Sequence, residues 1–277
     1  MKIDVIKRNN VTIRGTGNET MIFAHGFGCS QNTWHEVASA FEKDYRVVLF
    51  DYVGAGQSDL REYDSKKYST LEGYAQDILD ICRELNITQS ILVGHSVSSM
   101  IAVIAALKEP SYFKKLVFVS PSPYYFNEAD YTGGLNKQDV DGLFEMMEGN
   151  YLGWSSMMAP LIMGNAERPQ LGESLTNSFC ATNPDIAREF AKVTFYSDNR
   201  SYLPQLGIES LTLQCAADML APSEIAAYIQ EHTPLNSITY LKATGHCPHL
   251  SAPEETVSAI RSYLKAAPVQ PSLYAPA

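Results

Sequence analysis

The feature that most constrains the fold is a buried strand that leads into a helix through a short turn with a serine at its apex. Residues 91–93 are branched and apolar, which is typical of a fully buried strand. The turn is Gly94-His95-Ser96-Val97-Ser98, and the apolar run from Val97 to Leu107 predicts a helix. This is the setting of a nucleophile elbow, which needs small residues on either side of the serine. Ser96 is therefore the predicted nucleophile, although Ser98 replaces the second glycine of the G-x-S-x-G pattern.

Composition restricts the function classes. The 277 residues suit one α/β domain with an insertion, and the net charge of −10 argues against nucleic acid or an anionic membrane as a partner. The first residues lack the apolar segment of a signal peptide, and no apolar run reaches the about 20 residues that cross a bilayer. Five cysteines without a C-x-x-C pair indicate reduced thiols. We expect a cytoplasmic protein without metal or cofactor.

Strand and helix patterns alternate over the first half of the chain and return near its end. Strands are predicted at residues 21–24, 46–50, 90–93, 116–119, 211–215 and 237–241. This alternation predicts an α/β fold with a mostly parallel central sheet, whose ligands bind at the carboxyl ends of the strands. Residues 4–6 and 11–14 are expected to form two short strands joined through Asn9-Asn10 as an antiparallel hairpin. Ser69 with Glu72, and Ser251 with Glu254, predict capping boxes at two helix starts.

The alternation stops between residues 122 and 202, where breakers at residues 149–150, 164–165 and 183–184 divide an apolar segment into about four helices. We interpret this segment as a helical cap inserted into a hydrolase core formed by residues 1–121 and 203–266, with a disordered tail at residues 267–277. Ordinary helix packing explains most of the cap's methionines and aromatic residues, but their excess also fits a cap over an apolar pocket. The predicted pocket residues, from the cap and the loops below it, are Phe27, His95, Tyr124, Phe126, Met146, Trp154, Met157, Met158, Phe195 and Met219.

A serine hydroxyl needs a base within hydrogen-bond reach, and the base needs an orienting group. Asp218 and His246 follow late strands in the order expected for a Ser-Asp-His triad. His249 competes for the role of base, but its position beside the last helix favours a structural role. Asp51 competes for the role of acid, but it precedes the serine in a glycine-rich loop, where we expect it to hold the loop by hydrogen bonds.

An oxyanion hole needs two preorganised N–H donors. Val97, directly after the predicted nucleophile at a helix start, is expected to supply one of them. The loop His25-Gly26-Phe27-Gly28 is expected to supply the other from Phe27, because the flanking glycines allow the backbone to turn its N–H inward.

Together these stretches resemble a family of α/β-hydrolases that includes the bacterial sigma-B stress regulator RsbQ and the plant karrikin and strigolactone receptors. The resemblance is closest to RsbQ in the cap and in residues 214–222, while the serine at position 98 is similar to the plant receptors. It extends to the last helix and is carried by residues 25–28, 51–60, 94–98, 149–154, 214–218 and 245–250.

The resemblance implies the triad Ser96–His246–Asp218, oxyanion donors at Phe27 and Val97, and a V-shaped cap of four helices over an apolar pocket. It also implies slow hydrolysis of a small hydrophobic ester or lactone. The main interpretation is an RsbQ-like ligand-sensing regulator in stress signalling with a phosphatase as its signalling partner. The alternatives are a butenolide hydrolase of the strigolactone and karrikin type, a metabolic carboxylesterase, and a ligand-binding interaction protein with incidental hydrolysis.

Overall fold

A computed structural model describes residues 4–268, and its centre is a seven-stranded sheet. The strands are β1 (Thr12–Arg14), β2 (Glu19–Ala24), β3 (Tyr45–Leu49), β4 (Ser90–His95), β5 (Phe113–Val119), β6 (Glu209–Ala217) and β7 (Asn236–Thr244). Their order is β1-β3-β2-β4-β5-β6-β7, and only β1 is antiparallel to its neighbour. The predicted α/β fold with a mostly parallel sheet is confirmed, so the loops that follow β2, β3, β4 and β5 share one edge.

Helices cover both faces of the sheet, which is why its strands are apolar on both sides. Along β2, Ile22 packs among the side chains of the helices at Leu71–Glu84 and Val97–Lys108, whereas Phe23 packs against Trp34 and the helices on the opposite face. Outside the segment between β5 and β6, the helices are α1 (Val5–Arg8), α2 (His35–Ser39), α3 (Leu71–Glu84), α4 (Val97–Lys108), α9 (Ser223–His232), α10 (Pro248–Ser251) and α11 (Pro253–Lys265). In the part of the chain that the structure describes, no helix is long and apolar enough to cross a membrane.

Four helices lie between β5 and β6. They are α5 (Lys137–Gly149), α6 (Tyr151–Met163), α7 (Pro169–Cys180) and α8 (Pro184–Tyr196), called the cap helices below. Their apolar faces form a cluster of their own, which also takes in Cys29 and Cys247 from loops at the carboxyl edge of the sheet. The assignment of residues 122–202 as a cap on a core of 1–121 and 203–266 stays a prediction.

The prediction of an N-terminal hairpin was wrong. Residues 5–8 form helix α1, with the Asp4 carboxylate accepting the Lys7 N–H at 3.2 Å, and β1 pairs with β3 instead. The reason is a long-range charge contact, since the buried Arg8 guanidinium lies 3.4 Å from Asp77 and 3.0 Å from Asp80 on α3. The predicted disordered tail lies outside the described residues beyond residue 268.

Both predicted capping boxes were also wrong. The residue that precedes α3 is Thr70 rather than Ser69, and α11 begins after Ala252 because Ser251 is already the last residue of α10. Neither serine is therefore at the position from which a side chain caps the helix that follows.

Candidate active site

The turn between β4 and α4 places Ser96 at the carboxyl edge of the sheet. Its backbone has φ 55° and ψ −124°, a conformation that L-residues adopt only where the surroundings hold them. The Ser96 N–H donates to the Val119 carbonyl oxygen at 2.8 Å, which fixes the turn to β5. Gly94 is required, because a Cβ atom there would overlap the backbone carbonyl of Ser98. This strained turn holds the Ser96 hydroxyl out from the sheet.

The structure brings Ser96, His246 and Asp218 together. Nε2 of His246 lies 2.7 Å from Ser96 Oγ, and its Nδ1 lies 2.8 Å from Asp218 Oδ2. The second oxygen of Asp218 accepts the backbone N–H groups of Leu220, at 2.9 Å, and Ala221, at 3.2 Å. With a carboxylate at Nδ1, the proton belongs on Nδ1, and Nε2 is left to accept the serine hydroxyl proton.

Asp51 has a different set of partners. Its carboxylate accepts hydrogen bonds from the Gln31 N–H at 2.8 Å, the Gln57 N–H at 2.9 Å and the Asn10 side chain at 2.8 Å. These bonds tie three loop segments together and occupy both carboxylate oxygens. Asp51 therefore holds its loop, and the carboxylate at the histidine is Asp218.

Two further histidines lie behind His246. The buried His249 ring lies between Trp34, at 4.4 Å between ring centroids, and His95, at 4.3 Å. Burial, followed by the proximity of His246, lowers the pKa of His249 to about 3, so its ring is neutral at ordinary pH. Burial also holds the pKa of His95 well below its usual range, and the His95 Nε2–H donates to the His246 carbonyl oxygen at 2.9 Å. His95 thus supports the backbone of His246.

The loop after β2 lies beside the elbow. Gly28 has φ +69°, and a Cβ atom there would overlap the ring of Phe179 on α7. The Ser178 hydroxyl donates to the Gly28 carbonyl at 2.8 Å, so a cap helix holds this loop directly. Val97 is the first residue of α4, where backbone N–H groups lack a partner within the helix. The N–H groups of Phe27 and Val97 stay the predicted oxyanion donors.

Ser98 does more than fit the turn. Its hydroxyl donates to the His25 carbonyl oxygen at 2.5 Å and lies 2.9 Å from the Tyr52 hydroxyl. Because the Ser98 proton is directed at His25, Tyr52 is the donor in the second bond. Ser98 therefore links the elbow to the loop that contains Phe27, and a pattern match that asks only for a small residue cannot find this role.

A narrow apolar cavity opens above Ser96. It lies between the carboxyl edge of the sheet and the cap helices, and aliphatic and aromatic side chains form most of its wall. The predicted pocket residues that line it are Phe27, His95, Trp154, Met158 and Phe195.

The structure places the other five predicted pocket residues outside the lining of this cavity. Met146, Met157 and Met219 point to solvent and are 45%, 42% and 45% exposed. Tyr124 packs against Arg200, whose guanidinium carbon lies 4.5 Å from its ring centroid, and the Phe126 ring packs against Tyr196 at 5.4 Å. In three of these cases the next residue along the chain lines the cavity instead, namely Tyr125, Met147 and Leu220. The sequence identified these segments but not which side chain of each faces inward.

Tyr125 is the most informative residue that sequence reasoning missed. Its hydroxyl lies 3.4 Å from Ser96 Oγ, and burial raises its pKa to about 12, so it presents a neutral O–H beside the Ser96 hydroxyl. Cys29 and Cys247 also line the cavity. Burial raises the pKa of Cys29 to about 12 and that of Cys247 well above its usual value, so both thiols are neutral parts of the wall.

Comparison with known proteins identifies the family. A family model described as "alpha/beta hydrolase fold" matches residues 19–144. The karrikin insensitive 2 receptor CA of Petunia hybrida is 38% identical over 94% of this chain and 97% of its own length. The chain belongs to the α/β-hydrolase family.

Two other proteins extend this result. The strigolactone esterase D14 of Arabidopsis thaliana is 35% identical to this α/β-hydrolase over 94% of the chain and 98% of the relative. Among solved structures, a hydrolase from Oleispira antarctica superposes with a TM-score of 0.93 at 40% identity, covering 95% of this chain and 97% of that one. The match therefore includes the cap helices as well as the sheet.

Proposed function

We propose that this α/β-hydrolase cleaves a small apolar ester or lactone with Ser96 as nucleophile, His246 as general base and acid, and Asp218 as the group that orients the imidazole. The observation that carries the proposal is the chain of short contacts from Ser96 Oγ to His246 Nε2, at 2.7 Å, and from His246 Nδ1 to Asp218, at 2.8 Å. These distances allow proton transfer without further movement of the side chains.

In the first half of the reaction, Ser96 Oγ attacks the substrate carbonyl carbon as His246 Nε2 takes the hydroxyl proton. The N–H groups of Phe27 and Val97 donate hydrogen bonds to the carbonyl oxygen as it becomes negatively charged, and each such donor contributes about 3–4 kcal/mol to transition-state stabilisation. Collapse of the tetrahedral intermediate expels the alkoxide, which takes the proton from His246. For a lactone the expelled alkoxide belongs to the acyl group, so the whole molecule stays on Ser96 until water releases it.

The cavity and the relatives both support an apolar lactone as substrate. The cavity wall is mostly aliphatic and aromatic, and the hydroxyl of Tyr125 and the imidazole of His246 lie beside Ser96. Two relatives with nearly full-length coverage are named as a karrikin receptor and a strigolactone esterase, which favours the butenolide hydrolase over the RsbQ-like stress regulator. Stress signalling and a phosphatase partner stay predictions.

The test measures acylation kinetics in the wild-type protein and in variants of the two candidate acids, Asp218 and Asp51. Wild-type protein mixed with p-nitrophenyl acetate should give a burst of nitrophenol, and mass spectrometry should find an acetyl group on Ser96. Ser96→Ala should abolish the burst, and Asp218→Asn should lower the acylation rate by about 10⁴ because the imidazole loses its orienting carboxylate. A butenolide with a chromogenic leaving group should then also acylate Ser96, and mass spectrometry should find the mass of the butenolide-derived acyl group on that residue.

Asp51→Asn is the matched control, because it changes the rival acid by the same few atoms. It should weaken the loop and lower the unfolding temperature while the folded protein is still acylated. Wild-type acylation in Asp218→Asn together with loss of acylation in Asp51→Asn would reverse the assignment of the two acids, and an unchanged burst in Ser96→Ala would refute the hydrolase proposal.

A further inference from the structure

The turn between the cap helices α6 and α7 holds the segment that carries His246. The backbone N–H of His246 donates to the carbonyl oxygen of Ile162 at 2.9 Å. Ile162 is in the last turn of α6, where carbonyl oxygens have no partner within the helix and are free to accept from elsewhere. The catalytic histidine is therefore bonded through its own backbone to the end of a cap helix.

Two side chains extend this contact to either side of His246. The Asn165 amide nitrogen donates to the carbonyl oxygens of Thr244 and Met163, both at 2.9 Å. Arg168 donates to the Ser251 carbonyl at 2.7 Å and to the Asn165 amide oxygen at 2.5 Å. Asn165 and Arg168, which are hydrogen-bonded to each other, thus bond to the backbone two residues before His246 and five residues after it.

The two segments are also in close steric contact. Gly245 has φ +82°, and a Cβ atom there would overlap the Met163 carbonyl group. A Cβ atom on Gly164 would lie 3.2 Å from the Gly245 Cα, which leaves little room between the two backbones. The two backbones are therefore packed directly against each other, and the hydrogen bonds of Asn165 and Arg168 lie beside this contact, partly buried except for the exposed bond from Asn165 to Thr244.

We propose that Asn165 and Arg168 are positioning residues for His246 and make the position of the cap helices a determinant of catalytic geometry. This role rests on the proposed function of His246 as base and acid. Its imidazole has to serve both Ser96 Oγ and the departing oxygen, and a displacement of about 1 Å in such an arrangement costs about 100-fold in rate.

The first variant is Asn165→Gly. Asn165 has φ 56°, which glycine adopts without strain, so this change removes the amide and leaves the turn intact. Asn165→Asp keeps the side-chain shape but places a carboxylate oxygen against the Thr244 and Met163 carbonyls. Arg168→Met removes the contact with Ser251, and Arg168→Lys is the conservative variant that restores a single donor.

The matched control lies at the other end of the same helix. Asn150 precedes α6, and its side chain accepts the Gly153 N–H at 3.0 Å. Asn150→Ala therefore removes one side-chain hydrogen bond of α6 that does not involve the segment 244–251. It should lower the unfolding temperature and leave kcat unchanged.

The readouts are kcat and KM for p-nitrophenyl acetate, the rate at which a fluorophosphonate labels Ser96, and the unfolding temperature. Asn165→Gly and Arg168→Met should lower kcat and the labelling rate by about tenfold with KM within about twofold of wild type, because substrate contacts are unchanged. Asn165→Asp should lower kcat and the labelling rate further than Asn165→Gly does, and Arg168→Lys should lower them less than Arg168→Met does.

Wild-type kcat in Asn165→Gly and Arg168→Met would overturn the positioning role. A loss of kcat that merely follows the unfolding temperature, and that Asn150→Ala shares, would overturn it as well. Failure of the wild-type protein to be labelled at all would instead refute the proposed function, and this role with it.

Discussion

The buried imidazole of His249 should make the protein lose stability in mild acid. The ring is neutral in the folded protein, because burial lowers its pKa from 6.5 to about 3. In the unfolded chain it takes up a proton near its ordinary pKa. Between these two values the unfolded state binds more protons than the folded state, so stability falls as the pH drops below 6.5 and is fully retained above it.

The expected loss follows from the interval between the ordinary pKa and the pH of the measurement. At about pH 5 this interval is about 1.5 units, which corresponds to about 2 kcal/mol of unfolding free energy from this residue alone. Glutamine at position 249 has no proton to gain in this range. His249→Gln should therefore lose about 2 kcal/mol less than wild type when the pH changes from about 7.5 to about 5.

Urea unfolding at the two pH values measures this difference directly. The variant will also lose packing against Trp34, but that loss is common to both pH values and cancels when each protein is compared with itself. Replacement of the exposed His35 by glutamine controls for the loss of one histidine from the chain. Equal acid destabilisation of wild type and His249→Gln would refute the conclusion that the ring is buried in its neutral form.

Two substitutions away from Ser96, His246 and Asp218 probe the packing around the cavity. Thr194→Val should stabilise the protein by about 1 kcal/mol in urea unfolding, because the buried Thr194 hydroxyl has no hydrogen-bond partner among the described residues and valine has the same shape; a destabilised variant would mean that the hydroxyl is bonded. Gly28→Ala should cost about 2 kcal/mol or more, since alanine is strained at φ +69° and its methyl group would overlap Phe179. A Gly28→Ala protein with wild-type stability would show that α7 does not rest on the loop.

Features with a local cause could be predicted from the sequence. Buried strands and their helices leave a pattern within about ten residues. Ser96, Asp218 and His246 each follow a predicted strand, and their order along the chain is the one typical of this fold. Ser98 shows the limit of such patterns. The sequence indicates that a small residue is tolerated there, but its bond to His25 joins residues 73 positions apart.

The errors have two physical origins. In the cap, choosing Met146 instead of Met147 is an error of one residue, which turns a side chain by about 100° around a helix. Met157 was chosen together with its neighbour Met158, and only Met158 lines the cavity. The total apolar content does not determine which side faces the cavity. At the N-terminus, helix α1 is stabilised by Arg8 reaching Asp77 and Asp80, and no pattern within residues 4–14 contains that information.

Ser98 also affects the unfolded chain. A glycine at this position would restore the usual form of the motif, but it would add backbone freedom that folding must remove, at about 1 kcal/mol inside a helix. It would also leave the buried carbonyl of His25 without the donor that now satisfies it. Ser98 therefore restricts the backbone of the unfolded chain and, in the folded protein, holds the turn by its hydrogen bond to His25. This departure from the common motif makes the turn more rigid at the point where the Ser96 backbone is strained.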